Sequence, residues 1–178
     1  MDKLVLLRRT WMMKIRNKSI ACFFIIILLV GTFSGCRLID DIADDLENSQ
    51  SAVGGKNGLE IIRCLNEHDS EALKELFCEL MKRTHDLDSE IENAFGVFDT
   101  PITKFDPILV GGEKKNRDGV IIYNYASSSI HNVVSGEKTY TIFFSTYIVN
   151  ENKNLVGVTC IDIYNADDEL ICSIGEQV

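Results

Sequence analysis

The sequence predicts an α+β domain in which helices come first and an antiparallel sheet follows. Three observations predict it. Between Asn57 and Phe98 the apolar residues recur at a helical period. After Pro101 the period drops to two, and β-branched and aromatic residues take over. The helical and strand-like blocks do not alternate, so the layout is helices packed on one face of a sheet rather than parallel βαβ units.

The elements follow in order. Asn57 can cap a first helix with Glu60 at its third position, and Leu59, Ile62 and Leu65 or Asn66 form its apolar stripe. A second cap at Asp69 or Ser70 opens a helix in which Leu73, Leu76, Phe77 and Leu80 stand at i, i+3, i+4 and i+7. A third helix starts near Asp86 or Asp88, with Leu87, Ile91, Ala94, Phe95 and Phe98 on one side. The strands are Ile102 to Val110, with Pro107 marking an edge or bulge, then Val120 to Ala126 after the loop GGEKKNRDG. Thr139 to Asn150 is the longest strand, and Leu155 to Tyr164 and Glu169 to Gly175 form a closing hairpin around NADD. If Asn165 pairs with Leu170, then Ile161, Ile163, Cys172 and Ile174 share one face while Cys160 and Asp162 share the other, so Cys160 and Cys172 cannot bond to each other.

Ahead of this domain stands FFIIILLVGTFSGC, Phe23 to Cys36. The preceding stretch carries Lys3, Arg8, Arg9, Lys14, Arg16 and Lys18 against the single acid Asp2, the charge pattern of a cytoplasm-facing segment. The uninterrupted apolar run Ile20 to Val30 has 11 residues, and as a helix it spans about 16 Å of a hydrocarbon core about 30 Å thick. Small residues, Gly31, Thr32, Ser34 and Gly35, then lead to Cys36. Phe33-Ser34-Gly35-Cys36 resembles a bacterial lipobox, with Phe33 where an aliphatic residue is usual. The resemblance implies that Cys36 receives a diacylglyceryl thioether and becomes the mature N-terminus, a two-chain anchor where one chain would be marginal. An uncleaved anchor helix from Ile15 to Leu38 is the alternative, and both place the rest outside the cytoplasmic membrane. Because the basic segment is long for a signal, Met12 or Met13 is an alternative start to Met1. The expected organisation is a signal over residues 1–35, an acidic Gly/Ser-containing tether over 36–57, in which Leu38, Ile39, Ile42 and Leu46 can form a short amphipathic helix, and one domain over 58–178.

Removing residues 1–35 takes 6 of 18 basic residues and 1 of 27 acidic ones, leaving 12 against 26, a formal charge of −14. Such an excess of acid excludes nucleic acid and electrostatic adsorption to anionic lipid, both of which need clustered Lys and Arg. The cluster Asp40, Asp41, Asp44 and Asp45 lacks the alternating ligands and central Gly of a calcium loop. Cys64, Cys78, Cys160 and Cys172 belong to the domain; their spacing favours none of the three disulfide pairings, and structural apolar thiols are expected ahead of one or two disulfides. Neither a CxxC nor a His-rich cluster calls for a metal, and no motif calls for a cofactor or for catalysis.

The segments IIRCLNEHDSEALKELF, DGVIIYNY, KTYTIFFSTYIVN and VGVTCIDIYNADDELICSIGE resemble a family of small Firmicutes lipoproteins of unknown function, within the nuclear transport factor 2-like (cystatin-like) superfamily. The resemblance covers Gly58 to Glu176 and implies a cone in which a curved sheet wraps its concave face around the helices, with a pocket at the open end. Tyr125, His131 and Tyr140 are the candidate polar groups at such a mouth, above an apolar face of Tyr140, Ile142, Phe144 and Ile148. His68 and His85 fall in turns and are expected to be exposed, and Asp162, between Ile161 and Ile163, alternates to the solvent face. The loop with Lys114, Lys115 and Arg117 is a solvated hairpin tip or a grip for an anionic wall polymer or acidic partner. Phe143, Tyr147 and Val149 make the other face of the long strand half apolar, a candidate homodimer surface. The expected function is non-catalytic binding of a small ligand or protein partner by a lipid-anchored domain on the outer face of the cytoplasmic membrane. A pocket hydrolase or isomerase, or an immunity lipoprotein, is the alternative.

Overall fold

The computed structural model describes residues 49–178. The signal, Cys36, the acidic Asp cluster and the amphipathic stretch Leu38–Leu46 lie outside the described residues. Helix α1 spans Gln50–Glu67, with Ser49 as its cap accepting from the Ala52 N–H at 3.2 Å. Residues 50–57, expected to close the tether, are therefore its first two turns, and Asn57 is an interior residue rather than a cap. The reason is packing. Gly54 and Gly58 stand one turn apart on the face against the sheet, where a Cβ on Gly54 would lie 2.8 Å from a Val110 methyl and one on Gly58 would lie 3.1 Å from the Phe144 ring. That phase carries Ile61, Ile62 and Leu65 into the core and turns Leu59 to solvent, against the expected stripe.

The expected second helix is two short ones, α2 Ser70–Glu75, capped by Asp69, and α3 Glu79–Thr84. Leu76–Cys78 breaks the run because its backbone pairs elsewhere: Val158 N–H donates to Leu76 O and Cys78 N–H to Val158 O, both at 2.8 Å. Gly157 permits the approach, with φ +126 and no Cβ to meet Cys78 N at 2.9 Å. Helix α4, Leu87–Val97, is capped by Asp86 and buries Leu87, Ile91, Ala94 and Phe95 as the periodicity predicts.

The strands are β1 Ile102–Lys104, β2 Leu109–Arg117, β3 Val120–Ser135, β4 Lys138–Asn150, β5 Gly157–Tyr164 and β6 Leu170–Gly175. They form a curved, unclosed antiparallel sheet in the order β1-β3-β4-β5-β6, with β2 also pairing β3. Three expectations need correction. The stretch Ile102 to Val110 is two strands with an irregular link at Phe105–Ile108, because Pro107 cannot donate to a ladder. Gly111 to Arg117 is edge strand rather than loop, and the turn is Asp118-Gly119, both at positive φ as a two-residue hairpin requires. Strand β3 runs on to Ser135 through a bulge in which His131 and Asn132 stand between the pairs Ile130↔Ile142 and Val133↔Tyr140. The last hairpin keeps the expected pairs Ile161↔Ile174 and Ile163↔Cys172, but the register shifts beside the turn, where Tyr164 rather than Asn165 pairs with Leu170 and the Asn165 N–H donates to Glu169 O.

One face of the sheet, with Ile130, Val133, Tyr140, Ile142, Phe144, Ile161, Ile163 and Ile174, packs on the helices to form the core. The helices cover this side of the sheet. A polar layer lies under α1, where Gln50 Nε2 donates to Asn124 Oδ1 at 3.0 Å and Asn57 Nδ2 to Thr146 Oγ1 at 3.3 Å. No helix among the described residues is long and apolar enough to cross a membrane.

Candidate functional site

The face of the sheet turned away from the helices holds the site. Period-two alternation sends Tyr123, Tyr125, Ser127 and Ser129 of β3, Phe143, Ser145 and Tyr147 of β4, and Cys160, Asp162 and Tyr164 of β5 to this side. Register then sorts them into rows. Tyr125 stands opposite Tyr147, Ser127 opposite Ser145 opposite Cys160, and Ser129 opposite Phe143 opposite Asp162. A row of three small side chains thus lies between larger neighbours, and the result is a hollow of about 210 Å³, with Gln177 at its edge.

Its walls are aromatic. The rings of Phe143 and Tyr164 meet at right angles, 88° with centroids 5.5 Å apart, and His131 stands edge-on to the other side of Phe143 at 5.8 Å. Tyr125 packs on Tyr147 at 5.2 Å, and its hydroxyl is 3.0 Å from Ser145 Oγ in the floor. Phe143 keeps 40% of its surface exposed, an apolar ring held open to solvent. Asp162 is half-buried beside it, accepting from Ser173 Oγ at 2.5 Å. Burial, then the hydrogen bond and charge of Asp162, pushes the Cys160 thiol up to about 12, so it stays protonated at neutral pH. At the far end Glu113 accepts from the Tyr123 hydroxyl at 2.5 Å, which pushes that phenol above its ordinary range, and Lys115 Nζ sits 5.9 Å from the Tyr123 ring centre.

The three candidate mouth residues are not brought together. Tyr125 and His131 belong to this outer face, whereas Tyr140 points into the core, 5% exposed, with its hydroxyl donating to Val97 O at 3.2 Å and its ring edge-on to Phe98. His131 pairs with Ser129 Oγ at 3.0 Å rather than with a carboxylate. His68 is exposed as expected and stacks on Phe95 at 4.8 Å. His85 departs from expectation: it is half-buried, its Nδ1 3.0 Å from Glu90 Oε1 and its Nε2 3.8 Å from Glu176. Lys114, Lys115 and Arg117 are spread along edge strand β2, where charge also discourages unwanted strand pairing. Alternation alone sends Asp162 to this outer face, but Tyr164 and the small-residue floor escape sequence reasoning, because only cross-strand register aligns positions 127, 145 and 160. The four described cysteines are free thiols. No three His, Cys, Asp or Glu side chains among the described residues gather to hold a metal ion.

No curated protein matches this chain. Residues 60–166, from the middle of α1 through β5 and most of the residues around the hollow, match the family described as Domain of unknown function (DUF5104), and since the match covers more than half of the chain, the protein belongs to that family.

Proposed function

We propose that the protein is a lipid-anchored, extracytoplasmic binding domain of nuclear transport factor 2-like architecture that receives its ligand on the outer face of the sheet. Cys36 of the lipobox-like Phe33–Cys36 carries the anchor, and residues 37–49 hold the domain off the membrane as a tether. The wider kinship is with small Firmicutes lipoproteins. The observation that carries the binding role is the hollow over Ser127, Ser145 and Cys160, walled by Phe143 and Tyr164. A concave place lined by aromatic rings and a few polar groups offers a ligand apolar contact area with orienting partners, which is how binding sites are built. Binding is favoured over turnover because the Cys160 thiol is held protonated and His131 faces a serine and an aromatic ring without a carboxylate to orient it.

The experiment is a ligand-observed NMR screen of the detergent-extracted lipoprotein against small polar and aromatic fragments. Ser127→Phe, which fills the hollow from its exposed floor position, abolishes the hits, while Lys104→Ala on distant β1 leaves them. Hits that survive Ser127→Phe overturn the outer-face reading. Mass spectrometry of the native protein tests the anchor, which requires a diacylglyceryl group on residue 36 and no residues before it. A second copy is the other occupant to consider, favoured by the exposed Phe143. Sedimentation that shows a dimer lost in Phe143→Ser would establish it.

A further inference from the structure

The hollow has a sign as well as a shape, and the ligand class drawn from that sign rests on the outer face being the binding face. Asp162 is the one ionised group among its lining residues, which include neither lysine nor arginine. Phe143 and Asp162 are direct cross-strand partners, so the carboxylate lies beside the ring. Ser173 Oγ donates to Asp162 Oδ1 at 2.5 Å and fixes that carboxylate from β6. Tyr164, one pleat further along β5, packs edge-to-face against Phe143 at 5.5 Å and braces it, so the exposed part of the Phe143 ring and one carboxylate border the same space.

The carboxylate presents negative potential to a ligand, as does an aromatic face where the ligand reaches it. An aromatic face is the negative part of the ring quadrupole, and a half-buried carboxylate acts through a lower dielectric than water. An anion entering the hollow would meet repulsion from Asp162 with no cation to offset it. A neutral ligand would gain contact area and could donate a hydrogen bond to the carboxylate but would leave its charge unpaired. A cation with an apolar shell gains from both the ring and the acid, since it can approach within about 6 Å of a ring centre and pair with the carboxylate while its methyl or methylene groups fill the space above the serines. The charge of the exported part, −14, also raises the local concentration of cations at this surface.

We propose that the hollow is a site for an organic ammonium ion, its charged head set against the exposed Phe143 ring and paired with Asp162. The floor suits such a head: Ser127, Ser145 and Cys160 keep it small, and Ser145 Oγ shares a 3.0 Å hydrogen bond with the Tyr125 hydroxyl.

The test uses the full lipoprotein in maltoside micelles and saturation-transfer NMR with choline, with dimethylbutanol as its uncharged carbon isostere, and with N-acetylglucosamine as a neutral polar probe. Choline should receive saturation through its methyl groups, and the isostere should bind about tenfold more weakly. Phe143→Ala should abolish the choline signal, Phe143→Trp should retain it, and Asp162→Asn should weaken it about tenfold. Circular dichroism of each variant verifies the fold. Equal binding of choline and its isostere overturns the proposal, as does a choline signal indifferent to both Phe143→Ala and Asp162→Asn. N-acetylglucosamine bound in a Phe143-dependent way, with choline silent, overturns the ammonium assignment and leaves the outer face as the binding face. Silence from all three probes also overturns it, and the Ser127→Phe screen then decides the face by itself.

Discussion

Cys160 shows how one residue's chemistry is set by its surroundings. Its thiol lies in the floor of the hollow, 3% exposed, and burial followed by the neighbouring Asp162 pushes it up to about 12. The reactive species is the thiolate. Iodoacetamide at neutral pH should therefore leave Cys160 unmodified in the folded protein and modify it fully in denaturant, as read by peptide mass spectrometry. Cys64 behaves alike, pushed up to about 11 chiefly by burial. Asp69 shows the opposite shift. The Ala72 N–H it accepts, and then the Arg63 guanidinium, hold its carboxyl below the ordinary carboxylate range. A carboxyl that ionises more easily folded than unfolded adds stability above its unfolded pKa, and that stability is lost as pH falls through the folded value. Asp69→Asn, which keeps a capping oxygen but not the charge, should lower stability at neutral pH and leave it nearly unchanged in strong acid, so chemical denaturation at the two pH values should converge.

At the scale of elements, α1 carries the sharpest contrast. Gly54 and Gly55 are neighbours in one helix, yet a Cβ on Gly54 meets Ser128 Oγ at 2.7 Å and both Val110 methyls within 3.0 Å, whereas one on Gly55 meets nothing within 4 Å. Gly55→Ala should stabilise the fold by about 0.5–1 kcal/mol, the ordinary helical gain over glycine. Gly54→Ala should cost about 1–3 kcal/mol, because a stiff β-branched neighbour on a strand cannot give way. Urea unfolding of the pair measures both. The same contrast explains why the start of this helix is not legible in the sequence. A Gly-rich stretch between polar residues has the composition of a linker, and only the sheet beneath it shows that the glycines serve close approach. The break between α2 and α3 is hidden for a related reason: Leu73, Leu76, Phe77 and Leu80 keep a helical period, but Leu76–Cys78 spends its backbone hydrogen bonds on Val158, far away in the chain. Helix α4, whose cap and stripe are local, is legible throughout.

For the molecule as a whole, the sheet divides labour between its faces, and β4 shows it at adjacent residues. Ile142, fully buried, belongs to the core, and Phe143, 40% exposed, belongs to the hollow. Ile142→Ala should cost about 2–5 kcal/mol in denaturant unfolding and so threaten the fold outright. Phe143→Ala should cost about 1 kcal/mol, the worth of its edge-to-face contacts, and should act mainly on binding. If the two substitutions destabilise equally, the outer face is structural and the division does not hold.

The α+β class with helices ahead of the sheet, the alternation that sends Asp162 outward and the pairing of Ile161 and Ile163 with Ile174 and Cys172 are all local in origin, set by periodicity and turn chemistry within a few residues, and the sequence by itself determined them. The position of the hollow, the opposite destinations of Tyr140 and of Tyr125 with His131, and the elevation of the Cys160 thiol depend on which strands lie side by side and what covers them. Those were decided only by the tertiary structure, because cross-strand register and burial join residues that chain distance keeps apart.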